Sequence, residues 1–191
     1  MKNKPYPLNN VPQINNLKEM VIYCAKTYKD STVFQFKQNN EIIKISFQKF
    51  LDDINSLGTA FNNCGLKNEK IALIAENSYE WILSYFAVIS GGNVIVPIDP
   101  EMSNAQMKQI IDKTKISTII CSEKYFEKIQ NVSNDFSIQQ IIVLETDIPA
   151  FITEGKALIY EGEKFFIDYN INNNECNVII YLSLIHISEP T

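Results

Sequence analysis

Residues 71–100, IALIAENSYEWILSYFAVISGGNVIVPIDP, constrain the fold more than any other stretch of this chain. Residues 71–75 form a short unbroken apolar run, the pattern of a strand covered on both faces. Asn77, with Glu80 three residues on, makes a capping-box-like helix start, and such a cap contributes roughly 1 kcal/mol. Residues 79–90 are apolar nearly all round, so the helix they form is expected to be buried. Gly91 and Gly92 can take the left-handed backbone that ends a helix. Val94, Ile95 and Val96 then make a second, β-branched strand, stopped by Pro97 and Pro100. Two strands joined by a helix in about thirty residues are a βαβ unit, with parallel strands and a right-handed crossover.

The flanking sequence extends this pattern. Leu17, Met20, Val21, Cys24, Ala25 and Tyr28 follow helical spacing. Residues 32–37 and 41–47 read as strands around Asn39-Asn40, a pair that tolerates positive φ, so a hairpin is expected. Phe50, Ile54, Leu57 and Phe61 form one face of a second helix, which Gly65 ends. Beyond Pro100, Ser103 and Gln106 make a capping box, and Met107, Ile110, Ile111 and Thr114 mark the inner face of the helix it opens. Residues 117–121 read as a strand, Ser122 as the cap of a short helix holding Phe126 and Ile129, and residues 140–144 as the next strand. Residues 151–168 read ambiguously as helix, with Gly162 against it. Residues 171–176 are a polar loop, and residues 177–182 a last apolar strand. The expected class is therefore α/β: a layered, mostly parallel sheet with flanking helices and an N-terminal β-hairpin.

Composition narrows the function classes. All 17 basic residues are lysine and the net charge is −5, which disfavours nucleic-acid binding, where arginine forks read phosphates and bases. No apolar run reaches the length of a membrane span. The N-terminus has two lysines but no apolar core behind them, so it does not read as a signal peptide, and cytoplasm is the expected compartment. Cys24, Cys64, Cys121 and Cys176 are widely spaced, which favours buried or half-buried free thiols over a metal or disulfide set.

Motif chemistry is sparse. There is no GxGxxG, Walker loop, GxSxG, HExxH or cysteine pair. Gly91-Gly92 lies between helix and strand, where it cannot aim a helix N-terminus at phosphate, and reads as a structural turn. Asp99 follows a strand end, where ligands often bind in α/β sheets, but between two prolines it reads first as a turn residue. Glu76 could face a cleft and reads first as a polar turn residue. Trp81 reads as core or interface before it reads as a stacking platform. His186 is the one histidine, set in an apolar run, and is weak evidence for a base or a ligand.

Three stretches nevertheless resemble the N-terminal part of the adenylate-forming superfamily, specifically the AMP-forming acyl-CoA synthetases. They are ISFQKFLDDINSLGTAF (residues 45–61), KIALIAENSYEWILSYFAVISGGNVIVPIDP (residues 70–100) and residues 103–122. The VPIDP turn after an apolar strand is the most specific match. The ENSYEW wording and the early arm look closest to the long-chain fatty acid–CoA ligases. The resemblance implies a two-step ligase, in which ATP and a carboxylate give an acyl-adenylate and CoA then displaces AMP. It implies ATP, Mg2+ and CoA as the full-length parent's cofactors and a fatty acid as its small-molecule partner. Peripheral membrane association is left open.

The resemblance breaks at Leu182. After a strand like NVIIY the family continues into a Ser/Thr/Gly-rich phosphate loop ending in lysine, whereas here the text is LSLIHISEPT. That string resembles translated sequencing-adaptor read-through. The expected organisation is an N-terminal arm (1–16), a partial AMP-binding domain (17–182) and an artefactual tail (183–191). No catalytic, cofactor-binding or metal residue of the family maps onto this chain, so none is assigned, and the fragment is expected to be inactive. Two other readings compete: a free-standing, non-catalytic α/β binding or interaction domain, and another adenylating enzyme such as an amino-acid-activating domain or a luciferase-like oxidase.

Overall fold

A computed structural model describes residues 12–181. The residues before and after, including most of the expected arm, the expected tail and His186, lie outside the described residues. The helix α1 (Leu17–Tyr28) is followed by an antiparallel hairpin, β1 (Thr32–Gln38) and β2 (Glu41–Ser46). Asn39 and Asn40 both take positive φ, 49° and 66°, the backbone a two-residue hairpin turn needs. The long helix α2 (Phe47–Asn63) then leads to β3 (Lys70–Ile74), α3 (Tyr79–Ser90) and β4 (Val94–Pro97). Next come α4 (Asn104–Thr114), β5 (Thr118–Cys121), a 3-10 turn, α5 (Phe126–Ser133), β6 (Gln140–Val143), α6 (Asp147–Tyr160) and α7 (Phe165–Asp168).

The four later strands form one parallel sheet in the order β4-β3-β5-β6. Side chains alternate between two separate cores, as the period of a strand requires. Ile71, Leu73, Ile95, Ile120 and Ile142 point to the face covered by α2, α3 and α6. Ala72, Ile74, Val96, Ile119 and Cys121 point to the face covered by α4 and α5. The strands are short, and their continuous burial is the signature of a sheet with helices on both faces. Asn93, buried at the start of β4, donates through Nδ2 to the Leu66 carbonyl (3.1 Å) and accepts from the Glu69 amide (2.9 Å), which pins the approach to β3.

Several local readings are corrected. The cap of α3 is Ser78, whose hydroxyl accepts from the Trp81 amide at 3.0 Å; Asn77 lies one position too early to reach that donor. Of the glycine pair only Gly92 is left-handed (φ 78°), while Gly91 has φ −93°. Ser122 stands before the 3-10 turn without capping it, because its hydroxyl is used elsewhere. The ambiguous region is two helices, the first starting earlier, at Asp147. Pro149 is tolerated there in the first turn, and Gly162, with φ 103°, lies in the turn that separates α6 from α7, so it interrupts the segment as its presence in a helical pattern suggested. The described part of the last apolar strand, residues 177–181, makes one parallel bridge, Ile95 to Val178, held by Ile95 N–H to the Asn177 carbonyl (2.9 Å) and Ile179 N–H to the Ile95 carbonyl (3.0 Å). Cys64 and Cys176 are exposed rather than buried, whereas burial pushes the Cys121 thiol up to about 12.

The α2–α6 crossing is set by a glycine. A methyl group built on Gly155 would overlap the Ser56 backbone carbonyl, which a flexible side chain cannot relieve. Overpacking of this kind costs ~1–3 kcal/mol, more than the helix propensity that alanine adds. Gly155→Ala is therefore expected to lower the melting temperature by roughly 2–12 °C, as read by circular dichroism, and an unchanged melt would refute the close crossing.

Candidate functional site at the carboxyl edge of the sheet

The sheet order makes β3 and β5 the place where successive connections part to opposite sides. In open α/β sheets ligands gather outside the carboxyl ends of the strands at such a switch point. Glu76 follows β3, Asp99 and Glu101 follow β4, and Ser122, Glu123, Lys124 and Tyr125 follow β5. The structure thus brings the two weighed candidates, Glu76 and Asp99, to the same edge.

A continuous polar belt crosses this edge. Ser122 Oγ donates to Glu76 Oε2 at 2.8 Å, and Lys124 Nζ pairs with Glu76 Oε1 at 2.8 Å. Lys124 Nζ also donates to the Tyr125 hydroxyl at 2.9 Å, which in turn donates to Glu101 Oε1 at 2.7 Å. The Glu123 amide donates to Glu145 Oε2 beyond β6 at 2.8 Å. Lys128 Nζ holds the loop after β4 through the carbonyls of Pro100 (2.7 Å) and Met102 (2.8 Å). Asp99 accepts from the Glu101 amide at 2.9 Å, a turn contact of the Asx kind. Sequence reasoning missed Ser122, Lys124, Tyr125 and Glu101, since their partners lie more than twenty residues away; the signal available was polar side chains just past a strand end.

The belt satisfies itself. The Lys124 and Ser122 hydrogen bonds hold the Glu76 carboxyl down to about 2, and the Glu76 carboxylate holds the Lys124 ammonium up. The Ser78 hydroxyl accepts from the Trp81 amide in the first turn of α3, and the Ser103 hydroxyl from the Gln106 amide in the first turn of α4. Charge on the edge is mainly negative: among the described residues Glu76, Asp99, Glu101, Glu123 and Glu145 stand there beside Lys124 and Lys128. A triphosphate does not fit this set of side chains, because the carboxylates repel it. Among the described residues no group of three or more His, Cys, Asp or Glu side chains could hold a metal ion. What the belt does is fix the loops after β3, β4, β5 and β6 against each other.

An open apolar cleft of about 590 Å³ begins one residue past Glu76, between β1 and the first turn of α3, walled by Phe34, Phe36, Tyr79, Trp81 and Ile82. Trp81 is half-buried there and stacks on Tyr85, with ring centroids 5.6 Å apart. Tyr79 reaches under the cleft to donate to the buried Asp53 at 2.8 Å, and burial beside that carboxylate raises its phenol. Gly91-Gly92 lies at the opposite, amino end of the sheet, where Gly92 packs against the Tyr169 ring. Among the described residues no helix is long and apolar enough to cross a membrane.

Comparison with known proteins agrees with this geometry. The model of the family described as AMP-binding enzyme matches residues 23–181. The chain is similar to crotonobetaine/carnitine–CoA ligases of Salmonella paratyphi A and Salmonella typhimurium, at 23% and 24% identity over 139 residues. Those matches take in 71% of this chain and 27% of each relative, so the chain spans about a quarter of the relatives' length. A long-chain-fatty-acid-CoA ligase from Archaeoglobus fulgidus superposes with a TM-score of 0.70 at 15% identity, covering 90% of this chain and 35% of that one. The N-terminal subdomain of Klebsiella oxytoca NpsA, in complex with 3-hydroxybenzoyl-AMSN, does so with a TM-score of 0.58 at 17% identity, covering 70% of this chain and 31% of that one. These two likenesses are of fold.

The Glu76 pairing carries an acid signature. Its folded pKa lies below its ordinary 4.5, so the stability it contributes is present above pH 4.5 and drains as pH falls toward about 2. Denaturant melts at pH 6, 4 and 2.5 should show a shallower acid decline in Glu76→Gln than in the parent chain. Identical slopes would mean that the pair is not formed in solution.

Proposed function

This chain belongs to the AMP-binding enzyme family, and from that premise we propose that it is the N-terminal scaffold of an ATP-dependent carboxylic acid–CoA ligase. The parent joins a carboxylate to ATP, giving an acyl-adenylate and pyrophosphate, and the CoA thiol then displaces AMP to give the thioester. The observation that supports this reading best is the bridge to β4. Residues 177–179 run parallel to β4, so the chain reaching Tyr181 heads for the carboxyl edge, beside the loops that Glu76 and Glu101 occupy. The phosphate loop of an adenylate-forming enzyme follows a strand of this kind. Positioning and charge neutralisation are the main demands of adenylation. Of these, the described residues supply the positioning frame.

ATP, Mg2+ and CoA are assigned to the parent, and no residue of this chain is assigned to contact them. Residues 17–182 are proposed as the partial domain, residues 1–16 as an arm and residues 183–191 as a tail foreign to the fold. The acid is proposed to be a long-chain fatty acid, on the ENSYEW wording and the fold likeness to the Archaeoglobus enzyme. The curated relatives are named for crotonobetaine and carnitine, which makes those acids the natural competitors in an assay. A cytoplasmic location is proposed with the same reading.

ATP–pyrophosphate exchange tests it. The 191-residue chain is expected to show background exchange with palmitate, crotonobetaine or carnitine. The same chain extended through the parent's phosphate loop and remaining domains is expected to exchange, fastest with palmitate. Robust exchange by the 191 residues alone would overturn the scaffold assignment, and faster exchange with carnitine would overturn the fatty acid.

A further inference from the structure

Lys18 breaks a local rule. It is a cation in the first turn of α1, where the helix dipole favours acidic groups, and its side chain is only 8% exposed. Its environment explains the placement. Nζ donates to the carbonyl of Phe166 at 2.7 Å and to that of Tyr169 at 2.8 Å, the carbonyls at the end of α7. It also lies 5.1 Å from the Phe166 ring centroid and 6.0 Å from that of Tyr169. Both rings rest where only glycine fits: a Cβ on Gly58 would overlap the Phe166 ring, and one on Gly92 would overlap the Tyr169 ring. The start of α1 grips the next loop as well, since Asn16 Nδ2 donates to Asn173 Oδ1 at 3.1 Å. Asn16 and Leu17 border a small cleft shared with Asn177 and Val178.

Beyond that loop the chain is held to the sheet by the two backbone hydrogen bonds at Ile95. Its side chains divide as a strand's should, Val178 toward the core under α2 and α3, Ile179 and Tyr181 toward the core under α4. Two bonds are a weak anchor for a segment that leaves a seven-residue polar loop, residues 170–176, on its other side.

We propose that Lys18 is a positioning residue that seats residues 177–181 against β4, by clamping the end of α7 onto α1 and the α3–β4 turn. The clamp takes out the slack that the loop would otherwise have. Its importance for catalysis rests on the ligase reading, because the chain that follows Tyr181 would carry the phosphate loop; the seating itself does not depend on that reading. Burial lowers the Lys18 ammonium from 10.5 to about 8, against the attraction of Asp168, the one charge among the described residues that bears on it. The rings beside it rest on Gly58 and Gly92, which do not ionise. A neutral amine keeps two N–H donors, enough for both carbonyls. The seated state therefore sheds a proton that the released state keeps, and seating tightens as pH rises from about 8 toward 10.5.

Amide hydrogen exchange on the 191-residue chain, corrected for the intrinsic base-catalysed rate, reads the seating without any activity. The protection of the Ile179 and Ile95 amides is expected to rise about tenfold between pH 7 and pH 9, while Leu73 and Ile120 in the central strands stay level. Lys18→Met should lose at least tenfold in protection at Ile179 and Ile95 at pH 7, again with Leu73 level, and should abolish the pH rise. Lys18→Arg keeps donors and charge but cannot deprotonate, so it should be flat with pH. Flat protection in the unmodified chain would overturn the proposal even if Lys18→Met failed to fold. So would a Lys18→Met variant that weakens all four amides alike. Failure of the ligase reading would appear only in the exchange assay with ATP.

Discussion

A parallel sheet covered on both faces leaves little freedom to the rest of this molecule. Consecutive residues of each strand must enter different cores, so Ile71 and Leu73 meet α2 and α3 while Ala72 and Ile74 meet the α4 side. Burial of a single Ile or Leu contributes ~1.5–3 kcal/mol, and the strands spend nearly all their side chains this way. Polar work is thereby displaced to the ends of the strands. The carboxyl ends carry it, because the loops there lead into helix starts, and the belt from Glu101 through Tyr125 and Lys124 to Glu76 and Ser122 occupies that rim.

The same economy explains where polar groups survive inside. Asp53 is 1% exposed on α2, paired with Lys49 and accepting from Tyr79 of α3. Its Oδ1 has no hydrogen-bond partner among the described residues, with Lys156 of α6 at 3.9 Å. A buried carboxylate gains little net stability from such pairs, yet losing a partner is costly, so Asp53 ties three helices into one register more than it stabilises them. Lys18 does the same for α1 and α7. In both places a side chain that contradicts its local environment reaches an element remote in sequence.

Elements with a short-range cause were legible from the residues. The hairpin at Asn39-Asn40, the Ser103–Gln106 capping box and the buried face of α4 follow from neighbours three or four positions apart, and each stands as expected. The parallel βαβ unit at residues 71–100 was legible for the same reason. Where two neighbouring polar residues could each cap, as at Asn77 and Ser78, only geometry chose between them. Residues 177–182 carry strand-like sequence, yet their pairing depends on β4, some eighty residues earlier, and among the described residues, 177–181, it reaches one bridge. The belt at the carboxyl edge and the Lys18 clamp were illegible because their partners come together only once the sheet order is set, the clamp spanning 148 positions.

The charge of the rim sets a condition on whatever completes this fold. Glu76, Asp99, Glu101, Glu123 and Glu145 stand at the ends of the strands, and the nearby lysines are already engaged with Glu76 or with backbone carbonyls. An anion approaching that rim from water meets net repulsion. Any polyphosphate held there must therefore bring its counter-charge, as a metal ion does, or meet donors carried in by chain that is absent from the belt. A rim whose own groups are mutually satisfied can accept such a loop without rearranging, since no hydrogen bond of the belt has to break for it to dock. The mutual satisfaction of the belt and the acidity of the rim are thus two sides of one arrangement, and the α1 clamp bears on it by setting where residues 177–181 run beside β4.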